Sequence, residues 1–272
     1  MRVLMVSSPL EKIFGGPPVA VVEAAIALAK IGVSVEVAIF GQSSESWRKN
    51  HFGTMLRNNN VPTYFFESKT TSKYGGFPQL RNIAKLWKII KSADVLTLHQ
   101  IYNFQNIFIS IIVLLIRKPY AIMPHGSLTT YQRKQHKIRK ALFKILVDYI
   151  VIRRASRLFV ATENERNELP EKLQNNASVV GLGISGKNSA VIKNYIENRQ
   201  FTFLYVGRLA QKKRIDLALH ALDLASEISG KRIKFIICGS GDEKIIDEIS
   251  SFKFNKSNLE IDFQGWIDTS KK

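Results

Sequence analysis

Two basic residues, Arg208 and Lys213, have the types and spacing needed to hold a diphosphate. They lie in Phe203-Leu-Tyr-Val-Gly-Arg-Leu-Ala-Gln-Lys-Lys-Arg-Ile-Asp, where an apolar strand is followed by a loop and then a helix. A guanidinium can bind two phosphate oxygens at once and an ammonium adds a compact charge, while a helix start presents free N–H groups and positive dipole. Taken alone, the pattern also fits two solvated charges at a helix start.

A pair of glycines, Gly15 and Gly16, follows the first strand-like run of the chain. Without side chains there, a phosphate could approach the backbone at the start of the next helix. The spacing differs from the G-x-G-x-x-G of nicotinamide enzymes, and adjacent glycines alone are explained more simply by an ordinary tight turn.

Two histidines follow strand-like runs in the middle of the sequence. His125 lies in Met123-Pro-His-Gly-Ser-Leu, and His99 ends Val95-Leu-Thr-Leu-His. Ligands of open α/β sheets bind at the carboxyl ends of the strands, where a histidine can donate to a sugar hydroxyl or an oxyanion. In isolation, His125 could equally cap the turn that follows it.

Other common catalytic patterns are missing from the sequence. It contains no His-x-x-x-His, no clustered acids at metal-ligand spacing and no G-x-S-x-G elbow. We therefore expect neither a metal site nor a serine hydrolase.

Alternating strand and helix patterns must position these residues. Short apolar runs between amphipathic segments predict parallel sheets of the doubly wound α/β type. The predicted strands are Val3–Ser7, Val33–Phe40, Thr63–Phe66, Val95–Leu98, Tyr120–Met123, Leu158–Ala161, Val179–Val180, Phe203–Val206, Lys234–Cys238 and Glu260–Phe263. We expect a first domain over residues 1–182, a polar linker over 183–200 and a second domain over 201–272. With three strand candidates, the second sheet is expected to be incomplete.

The composition of the sequence indicates which classes of molecule the protein binds. The 272 residues carry a net charge of +18, which favours phosphorylated substrates, phospholipid or nucleic acid. Residues 133–150 alternate basic and apolar side chains, which is typical of a helix on an anionic membrane surface and also of a solvated face on a core helix. The one cysteine, Cys238, fits a reducing compartment. The N-terminus lacks a signal-peptide core and Ile107–Ile116 is too short to span a membrane, so we expect a cytoplasmic protein, peripheral on the inner membrane face.

Seven short motifs occur in the order seen in one enzyme family. They are Gly15-Gly16, Asp94-Val-Leu-Thr-Leu-His, Met123-Pro-His-Gly-Ser-Leu, Ala161-Thr-Glu-Asn-Glu, Val206-Gly-Arg-Leu-Ala-Gln-Lys-Lys, Ile236-Ile-Cys-Gly-Ser-Gly and Phe263-Gln-Gly-Trp-Ile. Together they resemble the retaining glycosyltransferases of family 4, which have the GT-B fold. The resemblance extends along the whole chain and is strongest to members that build bacterial surface polysaccharides.

The resemblance implies two Rossmann-like domains with the active site between them. It implies that a nucleotide diphosphate sugar binds mainly to the second domain and a saccharide or lipid-linked acceptor mainly to the first. No cofactor and no metal are implied. The donor phosphate of this family is thought to help deprotonate the acceptor, so no enzyme nucleophile is required. The implied roles are diphosphate binding by Arg208 and Lys213 with the Gly15-Gly16 loop opposite, donor-sugar contact by His125, base binding by Ile267 and Asp268, and acceptor-side positions for His99 and Glu163.

The sequence differs from the family pattern at two places, and each difference leads to a prediction. Arg214 stands where the family usually has glycine, and we expect it to crowd the phosphate turn. The family's pair of glutamates, which contact the donor sugar and ribose, has no counterpart before Lys272. We therefore expect a C-terminally truncated glycosyltransferase that is weak or inactive as given. The alternatives are a non-catalytic fragment that binds acceptor or an anionic membrane, and a nucleic-acid binder, which the lack of any recognised RNA or DNA motif disfavours.

Overall fold

The computed structural model describes residues 1–11, 14–67, 79, 82–129, 145, 147–183, 200–254 and 258–267. The chain divides into two compact units, Met1–Lys187 and Asn188–Lys272. Both are α/β structures built on parallel sheets, as the alternating pattern predicts. Most of the predicted linker lies outside the described residues, so its limits stay a prediction.

The first unit is a seven-stranded sheet with helices on both faces. Its elements are β1 Arg2–Ser7, α1 Gly16–Lys30, β2 Ser34–Phe40, α2 Ser44–Arg48, α3 His51–Asn58, β3 Thr63–Phe66, α4 Ile83–Ser92, β4 Val95–His99, α5 Phe104–Leu115, β5 Tyr120–Met123, a π-helical segment Val147–Ile152, β6 Arg157–Val160, α6 Glu163–Asn167, α7 Glu171–Gln174 and β7 Ala177–Val179. The strand order is β3-β2-β1-β4-β5-β6-β7, with every pair parallel.

The strands of this sheet are apolar on both faces because helices cover both. In β1, Val3 and Met5 pack into one core with α1 and α3, while Leu4 and Val6 pack into another with α4, α5 and the π-helical segment. A run of consecutive apolar residues is typical of a parallel strand buried on both faces. The sheet thus presents the carboxyl ends of β1, β4 and β5, which are neighbours, along one edge.

The second unit is a three-stranded parallel sheet of order β10-β9-β8. Its elements are β8 Gln200–Val206, a 3₁₀ turn Gln211–Lys213, α8 Ile215–Ser229, β9 Arg232–Cys238, α9 Glu243–Ser250 and β10 Leu259–Gly265. One core joins α8 and α9 to one face of the sheet. Cys238, at the end of β9, is buried.

The basic amphipathic helix predicted over 133–150 is only partly visible. Residues 130–144 and 146 lie outside the described residues. The part that is described, Val147–Ile152, is π-helical and buries Val147, Val151 and Ile152. The apolar side chains of this end of the segment therefore belong in part to the core.

Candidate functional site

The two histidines predicted from strand ends lie against each other. His99 Nδ1 and His125 Nε2 are 3.0 Å apart, within hydrogen-bonding distance, and the rings are stacked with centroids 5.3 Å apart. His99 is buried and His125 is half-buried. Burial lowers the pKa of His99 to about 3, with a further contribution from His125, and burial lowers the pKa of His125 to about 4. Both imidazoles are therefore neutral at pH 7.

Left-handed turns bring the histidines together. Gln100, directly after β4, has φ 64°, and His125, just after β5, has φ 52°. The Gln100 N–H donates to the Met123 carbonyl at 3.0 Å and so ties the two loops. Non-glycine residues rarely adopt positive φ, and when they do the surrounding structure must hold them there.

Glu165 supplies much of that support. Its carboxylate accepts hydrogen bonds from the Gly126 and Ala161 N–H groups, each at 2.8 Å, and its own N–H donates to Thr162 Oγ1 at 3.1 Å. The side chain is buried at 8% exposure. One carboxylate therefore joins the loop after β5 to the loop after β6.

Glu163, the acceptor-side candidate of the sequence analysis, does something different. Its carboxylate lies 3.6 Å from Arg166 in an exposed ion pair within α6. Its acceptor-side role is implied by the family resemblance alone. Thr162 caps this helix through Glu165 N, and that Thr-x-x-Glu spacing, a capping box, is the signal that could have singled out Glu165.

Buried amides continue the polar region toward β1. Asn103 and Gln105 donate to Ser8 Oγ at 2.7 and 2.8 Å, and Asn106 donates to the Gln100 carbonyl at 2.6 Å. The side chains of Ser8, Asn103, Gln105 and Asn106 are all almost fully buried. They fix the loops after β1 and β4 relative to each other, and the sequence analysis did not identify them.

The predicted glycine loop forms the start of α1. Gly15 is the N-cap residue at φ 78° and ψ −136°, and Gly16 begins the helix. No side chain caps the helix, and Pro17 and Pro18 have no N–H to offer. The donors at this end of α1 are therefore the exposed N–H groups of Gly15 and Gly16, and a Cβ at either position would meet nothing within 4 Å.

In the second unit, three loops at the carboxyl edge of the sheet are joined by backbone hydrogen bonds. Gly207 N donates to the Cys238 carbonyl at 3.0 Å, Leu209 N to the Ser240 carbonyl at 3.0 Å, and Gly239 N to the Gly265 carbonyl at 2.7 Å. We call this the second-sheet rim.

Glycine is required for the backbones of the second-sheet rim to approach so closely. A Cβ on Gly239 would lie 1.8 Å from the Gly207 oxygen, and one on Gly241 would lie 2.0 Å from the Leu209 oxygen. The sterics explain the Gly-Ser-Gly of the sixth motif.

The predicted diphosphate residues lie on this rim. Arg208 follows β8 and Lys213 ends the 3₁₀ turn before α8, and both are exposed. Arg214, the N-cap of α8, has φ 50° and ψ 47°, the left-handed conformation that explains a preference for glycine there. Its guanidinium bonds the Asp216 carboxylate at 2.8 Å and lowers the pKa of that group, with smaller contributions from the Leu217 and Asp216 N–H groups. The Arg214 side chain itself makes no capping hydrogen bond.

The predicted base-binding pair is only half visible. Ile267 is half-buried just beyond β10, and Asp268 lies outside the described residues. Each described candidate of the second unit, namely Arg208, Lys213 and Ile267, thus lies beyond a carboxyl strand end of its sheet.

Matches to two family models show which family this chain belongs to. Residues 14–185, more than half of the chain, match the model of Glycosyltransferase Family 4, and residues 186–265 match that of Glycosyl transferases group 1. The chain belongs to glycosyltransferase family 4. No curated protein sequence matches it.

Solved structures similar to this glycosyltransferase share its fold at low identity. Anabaena Alr3699/HepE in complex with UDP has a TM-score of 0.61 at 14% identity, covering 98% of this chain and 70% of that one. The lipopolysaccharide outer core galactosyltransferase WaaB in apo form has 0.58 at 15%, covering 100% and 70%. TarM has 0.67 at 10%, covering 99% and 77%. The glycosyltransferase thus has the GT-B fold, as the resemblance of its motifs implied.

Proposed function

We propose that this glycosyltransferase moves a sugar from a nucleotide diphosphate sugar to a saccharide or lipid-linked acceptor, with retention, in the synthesis of a cell-surface polysaccharide. Fold neighbours agree with this proposal: one is bound to UDP, and another is described as a lipopolysaccharide galactosyltransferase. Donor binding is assigned to the second unit and acceptor binding to the first.

The observation that carries the proposal is the second-sheet rim. Arg208, Lys213 and the N-terminus of α8 together offer a guanidinium, an ammonium and a helix start at one strand–loop–helix corner. Helix N-termini favour anions because their N–H groups and dipole point at the ligand. A diphosphate is the ligand that best uses all three kinds of donor.

The same groups suit the chemistry of sugar transfer. Departure of a nucleoside diphosphate develops negative charge on phosphate oxygens, and donors already in place stabilise that charge without reorganising. We assign this role to Arg208 and Lys213, with no metal ion. The neutral imidazole of His125 is assigned to a hydroxyl group of the donor sugar, and Ile267 and Asp268 to the base.

Titration calorimetry of the full chain with UDP, GDP and ADP tests the assignment. Replacing Arg208 with alanine removes a charge-assisted hydrogen-bonding group, and we expect nucleotide binding to weaken by about 1.5–3 kcal/mol. Arg232→Ala is the matched control, because Arg232 begins β9 at the opposite edge of the sheet and removes the same charge. Equal affinities for the wild-type and Arg208→Ala proteins would refute diphosphate binding at the rim.

An anionic membrane surface is proposed as a further partner, on the basis of α5 and of the described end of the basic segment 133–150. The α5 helix exposes an apolar stripe formed by Phe104, Ile111 and Leu115, and it packs beside the π-helical segment, where Tyr149 is exposed under Arg153. Apolar side chains flanked by basic ones suit the interface of an anionic bilayer. Among the described residues, no helix is long and apolar enough to cross a membrane.

Vesicle co-sedimentation tests the membrane partner separately from nucleotide binding. The expected result is binding to vesicles containing phosphatidylglycerol and little binding to pure phosphatidylcholine. Replacing the exposed Leu115 with glutamate should release the protein. The matched variant Leu204→Glu, which changes a leucine of similar exposure in the second unit, should not. If neither vesicle binds, the membrane proposal fails and the donor-site proposal is untouched.

A further inference from the structure

A tyrosine to which the sequence analysis gave no role is bonded to the loop that carries Arg208. Tyr205 lies near the end of β8, and its hydroxyl donates a hydrogen bond to the Arg208 carbonyl at 2.9 Å. The side chain is half-buried and packs against the core of the second unit. Burial raises the pKa of Tyr205 above its ordinary value, so the hydroxyl keeps its proton and remains a donor at pH 7.

Leu209, the residue after Arg208, is anchored to the loop after β9. Its N–H donates to the Ser240 carbonyl at 3.0 Å, its carbonyl accepts from Asp242 N at 3.0 Å, and its side chain is fully buried. The peptide group between Arg208 and Leu209 therefore has both polar atoms engaged, the N–H by Ser240 and the carbonyl by Tyr205. Because a trans peptide is planar and its N–H and C=O point in opposite directions, the two bonds hold this group from opposite sides.

Gly207 makes room for the tyrosine hydroxyl. A Cβ at position 207 would lie 3.2 Å from the hydroxyl oxygen of Tyr205 and 3.5 Å from the ring carbon that bears it. A side chain there would press the phenol away from the Arg208 carbonyl. The glycine therefore lets Tyr205 reach back to the loop that follows its own strand.

We propose that Tyr205 is a positioning residue for the donor diphosphate, because it fixes the backbone from which the Arg208 guanidinium projects. A side chain on a fixed backbone has fewer arrangements to lose when a ligand binds, so more of its interaction energy appears as affinity. Donors held in place in advance also stabilise developing charge without reorganising. This role rests on the proposed function, since it requires a diphosphate at Arg208.

Titration calorimetry of the full chain tests the inference, with whichever of UDP, GDP and ADP binds the wild-type protein most tightly. Tyr205→Phe keeps the ring and removes only the hydroxyl, so the Arg208 carbonyl loses its donor. We expect the dissociation constant to rise about threefold to tenfold, as for the loss of one ordinary hydrogen bond. Tyr64→Phe is the matched control, because it removes the hydroxyl of another half-buried tyrosine, on β3 of the first unit, and should leave the affinity unchanged.

A second background separates the positioning of Arg208 from a general loosening of the second-sheet rim. Arg208→Lys keeps a positive charge, so nucleotide binding stays measurable, but an ammonium lacks the rigid fork of a guanidinium and depends less on the direction of its backbone. Adding Tyr205→Phe to Arg208→Lys should therefore raise the dissociation constant by less than about twofold. If Tyr205 acted only by stiffening the rim, the loss would be the same in both backgrounds.

Two results would overturn this inference alone. One is a Tyr205→Phe protein that binds nucleotide as tightly as the wild type while Arg208→Ala binds it more weakly. The other is an equal loss of affinity on adding Tyr205→Phe to the wild-type and Arg208→Lys proteins. If the wild-type protein binds none of the three nucleotides, the donor-site proposal fails, and the role of Tyr205 fails with it.

Discussion

The first strands of the two units, β1 and β8, have similar apolar sequences and opposite surroundings. β1 is paired on both sides, by β2 and β4, and Leu4 at its centre is fully buried. Within the described residues, β8 is paired only by β9, and Leu204 at its centre is 63% exposed. An apolar run therefore predicts a strand, but its neighbours decide whether the strand is buried.

The two sheets match on one face and differ on the other. The order β3-β2-β1 repeats as β10-β9-β8, and α1 and α3 cover one face of the first as α8 and α9 cover one face of the second. In the first sheet, α4 covers the face of β1 that carries Leu4. The corresponding face of the second sheet is the one that carries Leu204. There Lys234 pairs with Glu260 at 3.2 Å and with Asp262 at 3.0 Å. Those ion pairs suit water, so hydrophobic burial stabilises the second sheet mainly from one side.

The largest effect should separate a leucine in β1 from one in β8. Leu4→Ala leaves a cavity between helices and sheet, and we expect it to lower the free energy of unfolding by about 2–5 kcal/mol. Leu204→Ala removes a side chain that is mostly in water and should change it by less than about 0.5 kcal/mol. Urea denaturation of the two proteins measures both values, and similar losses would show that Leu204 is buried in solution.

Hydrogen exchange extends the comparison to the backbone. Each apolar side chain left in water forgoes about 1.5–3 kcal/mol of stabilisation. Amides of residues 202–267 should therefore exchange at least about tenfold faster than those of β1, β4 and β5. Mass spectrometry of peptides from native protein reports the rates, and uniform protection in both sheets would break the comparison.

The two units should also respond differently to acid, through the pair formed by His99 and His125. Its histidines have folded pKa values of about 3 and about 4, below the ordinary value of 6.5, so the unfolded chain binds protons first as pH falls. Stability is then complete above pH 6.5 and declines from pH 6.5 down to about 4 through His125 and down to about 3 through His99. Between pH 6.5 and pH 5 the first unit should lose about 2 kcal/mol for each histidine.

Urea midpoints of the first-unit transition at pH 7 and pH 5 measure this loss. His99→Asn is the matched variant, because it removes one of the two titrating groups and should reduce the pH dependence. A transition that does not move between the two pH values would contradict the neutral, buried state of the pair.

The smallest effects concern the residues that begin α1 and α8. Gly15 and Arg214 both have positive φ, which is strained only for the arginine. Gly15→Ala should destabilise the first unit by about 1 kcal/mol, while Gly16→Ala should not, because Gly16 is helical. Arg214→Gly should slightly raise the melting temperature of the second unit, since the exposed pair with Asp216 adds little. A lower melting temperature for Arg214→Gly would mean that the ion pair outweighs the strain.

Much of the fold followed from local patterns. Each predicted strand has a counterpart in the structure, because consecutive apolar residues between amphipathic helices leave few alternatives to a parallel sheet. The π-helical turn at Val147–Ile152 was not predicted, since its hydrogen-bond shift has no distinct apolar period. Helix α1 begins at Gly16 and holds Pro17 and Pro18 in its first turn, where prolines are accepted.

The contacts within the site were less predictable. His99 and His125 could be placed at neighbouring strand ends, but their 3.0 Å contact depends on the pairing of His99 with Met123 and on two left-handed residues. Glu165 binds a loop from a different strand, so nothing near it in the sequence marks its partner. Side chains that act across loops are set by strand register, which a single sequence does not contain.

Cys238 gives this protein a built-in chemical reporter. It is the one cysteine of the sequence, and it is buried at the end of β9 in the three-stranded sheet, which we expect to open more readily. A buried thiol does not react with alkylating reagents until the structure around it opens. The rate at which iodoacetamide modifies native protein therefore measures the opening of the second sheet, with no contribution from the first.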